Sequence, residues 1–232
     1  MGLNISKGNM YDFVTHTWNT IKGACPHDCQ YCYMKRWGDL KPTRFDEKEL
    51  KTDLGSGNYI FVGSSCDMFA TGILHDWIFR TLKHCYDYPG NKYFFQSKNP
   101  GAFPVMIEEY EWFPEKFSIC TTIETNRIYT EMGIENRVPE PEVRAHCLGF
   151  NFLNPIERYV TIEPIMDFDV FEMVDLIKIS KARQVNIGAD SGGNELPEPT
   201  KDKIENLISE LRNFTKVKLK KNISRLGIDP EA

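Results

Sequence analysis

The chain has 232 residues, is 41% hydrophobic and carries a formal net charge of −5. That length suffices for one sizeable core and favours a single domain over two. The acidic balance argues against sequence-independent binding of long duplex nucleic acid, which relies on Lys and Arg neutralising phosphates, and no run approaches the roughly 20 apolar residues of a membrane span.

Residues 1–10 are polar and lack the apolar stretch of a signal peptide, so the expected location is cytoplasmic. Seven cysteines, an odd number without a secretory signal, argue against a disulfide framework. The first expected strand is Val14 to Ile21. Directly after it the stretch from Lys22 to Tyr33 reads K-G-A-C-P-H-D-C-Q-Y-C-Y.

Further strands are expected at Tyr59 to Val62, Tyr93 to Gln96, Phe117 to Thr122, Arg158 to Ile162 and Gln184 to Ile187. Each is short and rich in β-branched or aromatic residues. Several are apolar on both parities, as in a parallel sheet covered by helices. Helical spacing appears over Ala70 to Tyr86, Asp169 to Ile179 with Asp169 as N-cap, and Thr200 to Phe214 with Thr200 as N-cap. Gly101 to Tyr110 and Pro141 to Phe152 carry weaker helical patterns. Six βα units are too few for a closed eight-stranded barrel and suit an open one. From Lys201 to Arg225 eight Lys or Arg face three acids; this reads as a solvated amphipathic helix with a frayed basic end.

The three clustered cysteines, Cys25, Cys29 and Cys32, have the spacing C-x3-C-x2-C. Three thiolates on one loop suit an iron–sulfur cluster. A [4Fe–4S] cube with three protein ligands keeps one iron open to a small molecule. Two alternatives stand beside this. His27 could complete a four-ligand zinc site, although it lies between two of the cysteines. A redox C-x-x-C pair, Cys29 and Cys32, leaves Cys25 unexplained. The remaining cysteines read as small buried hydrophobes.

C-x3-C-x-aromatic-C after the first strand resembles the signature of the radical S-adenosylmethionine (SAM) superfamily, with Cys25, Cys29, Tyr31 and Cys32 matching position by position. The blocks Gly63 to Phe69, Thr122 to Asn126, Arg158 to Pro164 and Asn186 to Gly192 resemble those of a phage-associated, three-cysteine family within it. The resemblance covers about Trp18 to Gly192. It implies a partial (β/α)6 TIM-like barrel of α/β class, a single domain with its core at about 14–192 and a C-terminal helix and basic tail at 200–232. It implies a [4Fe–4S] cluster held by Cys25, Cys29 and Cys32 that reductively cleaves SAM to a 5′-deoxyadenosyl radical. It also implies an external one-electron donor of flavodoxin or ferredoxin type and a monomer, in the host cytoplasm if phage-encoded. The expected reaction is that of an isomerase or lyase on a modified thymidine or other nucleobase in DNA. A small-molecule or peptide substrate is the alternative, and a non-catalytic metal-binding module is the alternative of another class.

In such folds ligands bind at the carboxyl ends of the strands. The resemblance places SAM against Tyr31, against Ser64 and Ser65 after the second strand, against Glu124 and Arg127 after the fourth, and against Glu163 after the fifth. The serines replace the Gly-Glu portion of the superfamily's usual turn. Glu124 is expected to accept from ribose hydroxyls. Arg127 is expected to fork the SAM carboxylate, or else to pair with Glu124. Substrate contacts are expected from Asp67, Lys98, Asp190 and Ser191. Set against these roles, Ser64 and Asp67 could cap the following helix, and a loop lysine such as Lys98 is more commonly exposed.

Overall fold

A computed structural model describes residues 2–7, 11–150 and 155–231. Ten strands appear in chain order: β1 (Asn4–Ile5), β2 (His16–Trp18), β3 (Ile21–Lys22), β4 (Arg44–Phe45), β5 (Tyr59–Val62), β6 (Lys92–Gln96), β7 (Phe117–Thr122), β8 (Glu157–Ile162), β9 (Gln184–Ile187) and β10 (Lys216–Leu219). Five α-helices lie among them: α1 (His75–Tyr86), α2 (Ala102–Glu109), α3 (Pro141–Leu148), α4 (Val170–Ser180) and α5 (Lys201–Arg212). The main sheet has the order β1-β2-β5-β6-β7-β8-β9-β10. From β2 to β10 every neighbour is parallel, and β1 alone runs antiparallel at the edge. The result is a single mixed α/β domain with an open, mostly parallel sheet. No described helix is long and apolar enough to cross a membrane.

Side-chain alternation divides the sheet into two faces. On one face Ile60, Val62, Tyr93, Phe95, Ile119, Val160, Ile162, Val185 and Ile187 join Leu82, Ile177, Leu207 and Leu211 of the helices in the main core. The other face carries Phe61, Phe94, Cys120 and Tyr159, covered by Tyr11 and Val14, and among the described residues no helix contributes to that cluster. The N-terminal segment thus fills the helix-free face. Tyr11 donates to Gln96 Oε1 at 2.7 Å, and the Lys220 ammonium lies 4.5 Å from its ring centroid.

The six expected strands are present as β2 and β5 to β9. The first is shorter than expected. The chain breaks at Asn19, whose Oδ1 accepts from the Ser65 amide at 2.9 Å, and β3 then pairs with β4 in a separate ribbon. The helix expected from Ala70 begins only at His75, because Gly72 takes a φ of +97° and interrupts the turn before it. Thr200 caps α5 through Lys203 N. Asp169 occupies the N-cap of α4 but leaves its side chain free for another partner. For the helix expected over Pro141 to Phe152, α3 ends at Leu148, and its expected last residues, 151–152, lie outside the described ones.

The basic end is not a frayed helix. Lys216, Val217, Lys218 and Leu219 pair with β9 as a further parallel strand, with Val217 and Leu219 packed on the main core.

Candidate active site

The cysteine loop leaves β3 through Gly23. There φ is +104°, and a Cβ would lie 2.5 Å from the carbonyl oxygens of Lys41 and Pro42. Only glycine lets the loop approach this closely. Ala24 then donates to Lys41 O at 2.8 Å. The loop closes on itself through Asp28 N to Cys25 O and Cys32 N to Cys29 O.

From there it lies across the carboxyl ends of several strands. His27 bridges Arg137 O at 3.1 Å and Asp67 Oδ2, after β5, at 2.9 Å. Tyr33 donates to Ser64 O, also after β5, at 2.7 Å. Tyr31 donates to Glu124 Oε1, after β7, at 2.6 Å. An apolar patch of Cys29, Tyr31, Tyr129, Ile134, Met166 and Leu196 seals the loop against the following layer.

Beneath Cys29 lies a charged network. Lys98, after β6, points its ammonium at Cys29 Sγ (3.5 Å), the Tyr31 hydroxyl (3.0 Å) and Glu124 Oε1 (2.7 Å). Glu124 Oε2 accepts from Tyr129 at 2.5 Å and from Arg144 of α3 at 2.9 Å. Arg144 also donates to Thr122 O at 2.5 Å. Glu124 and Arg144 are wholly buried. Burial alone would raise the Glu124 pKa, but the Arg144 and Lys98 charges hold it well below the usual carboxylate range. Burial pushes the Tyr31 and Tyr129 hydroxyls up, with the Glu124 charge adding to it.

This network alters the expected roles of several residues. A carboxylate offers roughly four acceptor sites, and Glu124 has four donors within the protein. No acceptor remains for a ribose hydroxyl. Tyr31 is likewise committed to Glu124. Arg127 does not pair with Glu124. Its Nε and Nη2 fork Asp169 at 3.0 and 2.9 Å, and its Nη1 reaches Asp167, tying the β7 loop to the start of α4. Lys98 is not an exposed loop lysine.

Asp67 is also committed internally. Besides His27, its Oδ2 accepts from Ser97 Oγ and Lys98 N, each at 2.9 Å, and its Oδ1 accepts from Phe69 N at 3.0 Å. Neither Asp67 nor Ser64 caps α1. Ser64 Oγ donates to Asn19 at 3.2 Å, and Ser65 lines an open groove of about 380 Å³ with Asn19, Lys22 and Met34. Glu163 stands half-buried at the end of β8, paired with Lys220 at 2.5 Å and Asn222 at 2.8 Å. Asp190 closes its own turn through Gly192 N and Asn194 N. Asp190 and Ser191 line a separate open depression of about 520 Å³ with Asn222 and Arg225.

Two participants escaped the sequence reading. Cys66 is buried, and the influence of its thiol, acting against burial, brings Cys25 down to about 7. Its place in the Gly63-to-Phe69 block was the only signal. Arg144 had none, since nothing in the α3 sequence distinguishes it from a surface arginine. Burial pushes the Cys29 thiol up against the pull of Lys98.

The donor set fits an iron–sulfur cluster better than a zinc ion. Among the described residues no group of three His, Cys, Asp or Glu converges on one metal ion. A zinc centre needs such convergence. A cube spreads three cysteine ligands over three irons, so its ligands need not meet at a point. Both ring nitrogens of His27 are taken by Arg137 and Asp67, which leaves it no lone pair directed at the cysteines.

Comparison with protein-family models and with curated proteins gives no match for this chain. Among solved structures it is similar to spore photoproduct lyase. The form complexed with dinucleoside spore photoproduct aligns at 10% identity and TM-score 0.57, over 90% of this chain and 64% of that one. A cysteine-to-serine mutant aligns at 11% identity and TM-score 0.62, over 92% and 79%. A double mutant with bound AdoMet and dinucleoside spore photoproduct aligns at 11% and 0.54, over 89% and 64%. Against two of these structures the chain spans just under two thirds of their length. Its open, mostly parallel sheet shares the partial-barrel fold of these structures.

Proposed function

We propose that the chain is a radical SAM enzyme acting on a nucleobase in DNA, with Cys25, Cys29 and Cys32 as the ligands of a [4Fe–4S] cluster. The observation that carries this is the docking of the three-cysteine loop over the strand ends with the Lys98 ammonium 3.5 Å from Cys29 Sγ. Glu124 is shared between Lys98 and Arg144, so the two cations face one carboxylate, and a metal-bound thiolate at Cys29 supplies the second anion.

A cluster held there supplies one electron and an open iron for the reductive cleavage of SAM. The protein's own groups shape the chamber. Gly23 and the His27 bridges fix the loop, while Tyr31, Tyr129, Glu124 and Arg144 close its floor to water. The Ser64 and Ser65 hydroxyls and the Glu163 carboxylate stand at strand ends, where they can meet the polar end of SAM. Asp190 and Ser191 line a depression open to a larger substrate. The solved relatives were crystallised with a dinucleoside lesion and with AdoMet, which favours a nucleobase over a peptide. The electron comes from a flavodoxin- or ferredoxin-like donor.

Anaerobic purification tests the reading. The expected protein is brown, with about four irons and four sulfides per chain, and with dithionite and SAM it releases 5′-deoxyadenosine. Cys29→Ala should abolish both properties. DNA carrying a modified thymidine, deuterated at the reacting carbon, should transfer deuterium into 5′-deoxyadenosine. Colourless protein with one tightly held zinc overturns the reading, and no deuterium transfer from any nucleobase overturns its substrate half.

A further inference from the structure

The charges beneath the cysteine loop do not cancel. Lys98 and Arg144 are cations, and Glu124 is the one anion bound to both. Tyr31 and Tyr129 add hydroxyl donors but no charge. The nearby Asp67 faces His27, Ser97 and the Lys98 amide rather than the Lys98 ammonium. Glu124 and Arg144 have no exposed surface, and the Lys98 side chain keeps 17%. The triad therefore presents one surplus positive charge to its surroundings. Its outlet is fixed by geometry: Glu124 and the Tyr31 ring (4.3 Å to the centroid) hold the Lys98 ammonium from two sides, and Cys29 Sγ lies at 3.5 Å.

We infer that Lys98 is a positioning residue that raises the reduction potential of a cluster held at Cys29, through a charge-assisted N–H···S hydrogen bond. The inference rests on the cluster reading above and deepens it. Hydrogen bonds to ligand sulfur and nearby net charge are established determinants of iron–sulfur potentials. Adding one electron makes the cluster more negative, so a fixed cation against its ligand favours the reduced form. Glu124 then has two opposed effects: it anchors Lys98 in place, and its charge offsets half of the cationic pair.

The test is a redox titration of reconstituted holoprotein, with dithionite as reductant and the cluster's electron paramagnetic resonance signal as readout. Wild type is compared with Lys98→Met, Lys98→Arg and Glu124→Gln, with iron and sulfide content and SAM affinity measured on each. Lys98→Met should lower the midpoint by at least a tenfold change in the oxidised-to-reduced ratio, ~59 mV for one electron. Lys98→Arg should restore most of it. Glu124→Gln keeps an amide oxygen to hold Lys98 while removing the opposing charge, so it should raise the midpoint. A merely loosened site would move Lys98→Met and Glu124→Gln in the same direction, and that result overturns the inference. An unchanged midpoint in Lys98→Met overturns it too, and if SAM affinity falls at the same time, Lys98 is assigned to SAM instead. Wild-type protein that holds no cluster overturns the functional reading along with it, whereas a full cluster with a Lys98-insensitive potential overturns this inference alone.

Discussion

Arg144, on α3, reaches Glu124, after β7, at 2.9 Å, and neither side chain has any exposed surface. The pair joins the helical layer to the floor of the site. Arg144→Met leaves Glu124 paired with Lys98 but strips a donor from Glu124 and from Thr122 O, so the loss in urea unfolding should be about 1–3 kcal/mol. A loss below about 1 kcal/mol would show that the floor does not depend on this pair.

The same carboxylate gives a pH dependence of known sign. Its folded pKa lies below the unfolded value of about 4.3, so its contribution to stability is complete above that pH and is lost as pH falls through the folded value. The stability difference between wild type and Glu124→Gln should stay flat from about pH 6 to pH 8 and shrink below about pH 4. A difference that varies near neutrality would mean that Arg144 and Lys98 do not hold Glu124 ionised.

Gly23 offers a purely steric test of the cysteine loop. Alanine there would need a φ of +104° and a Cβ 2.5 Å from two backbone oxygens. Left-handed strain alone costs about 1–2 kcal/mol, and the clash adds to it. Gly23→Ala should therefore lower iron incorporation more than it lowers global stability, since the strain falls on the loop. Full iron loading in this variant would show that the loop tolerates a different path.

Arg127 provides the complementary test. It forks Asp169 at a site where both side chains remain substantially exposed, so the link is worth about 1 kcal/mol or less. Arg127→Gln should leave SAM affinity unchanged in calorimetric titration and lower stability only slightly. A tenfold loss of SAM affinity would return Arg127 to the ligand role suggested by its place after β7.

The parts of the fold legible in the sequence were those carried by local pattern. Tyr59–Val62, Phe117–Thr122 and Gln184–Ile187 form strands as their short runs of β-branched and aromatic residues indicate. The strand Lys216–Leu219 was equally legible as alternation, yet its lysines read as a charge run. Within the site, chain proximity revealed the cysteines and little else. Glu124 depends on Arg144, twenty residues downstream on a helix, and on Tyr31, ninety-three upstream. Such partners meet only when the sheet is assembled, so a strand-end carboxylate awaiting a ligand and one already filled look alike in sequence. Lys98 stood in the sequence both as a site candidate and as a common exposed loop lysine, and only the assembled sheet, which sets it beside Glu124, separates the two.

The sheet's two edges are never zipped together. Among the described residues no strand ladder joins β10 to β1 or β2. The N-terminal segment crosses toward β10 instead, through Asp12 to Lys218 at 3.5 Å and Tyr11 beneath Lys220. The first contact is an exposed ion pair worth about 1 kcal/mol or less, and the second is a cation–π contact between largely buried groups, worth about 2 kcal/mol. A ring closed by backbone ladders admits only what can pass through its end. Among the described residues the seam is closed by side-chain contacts alone, so it can part without any backbone ladder being broken.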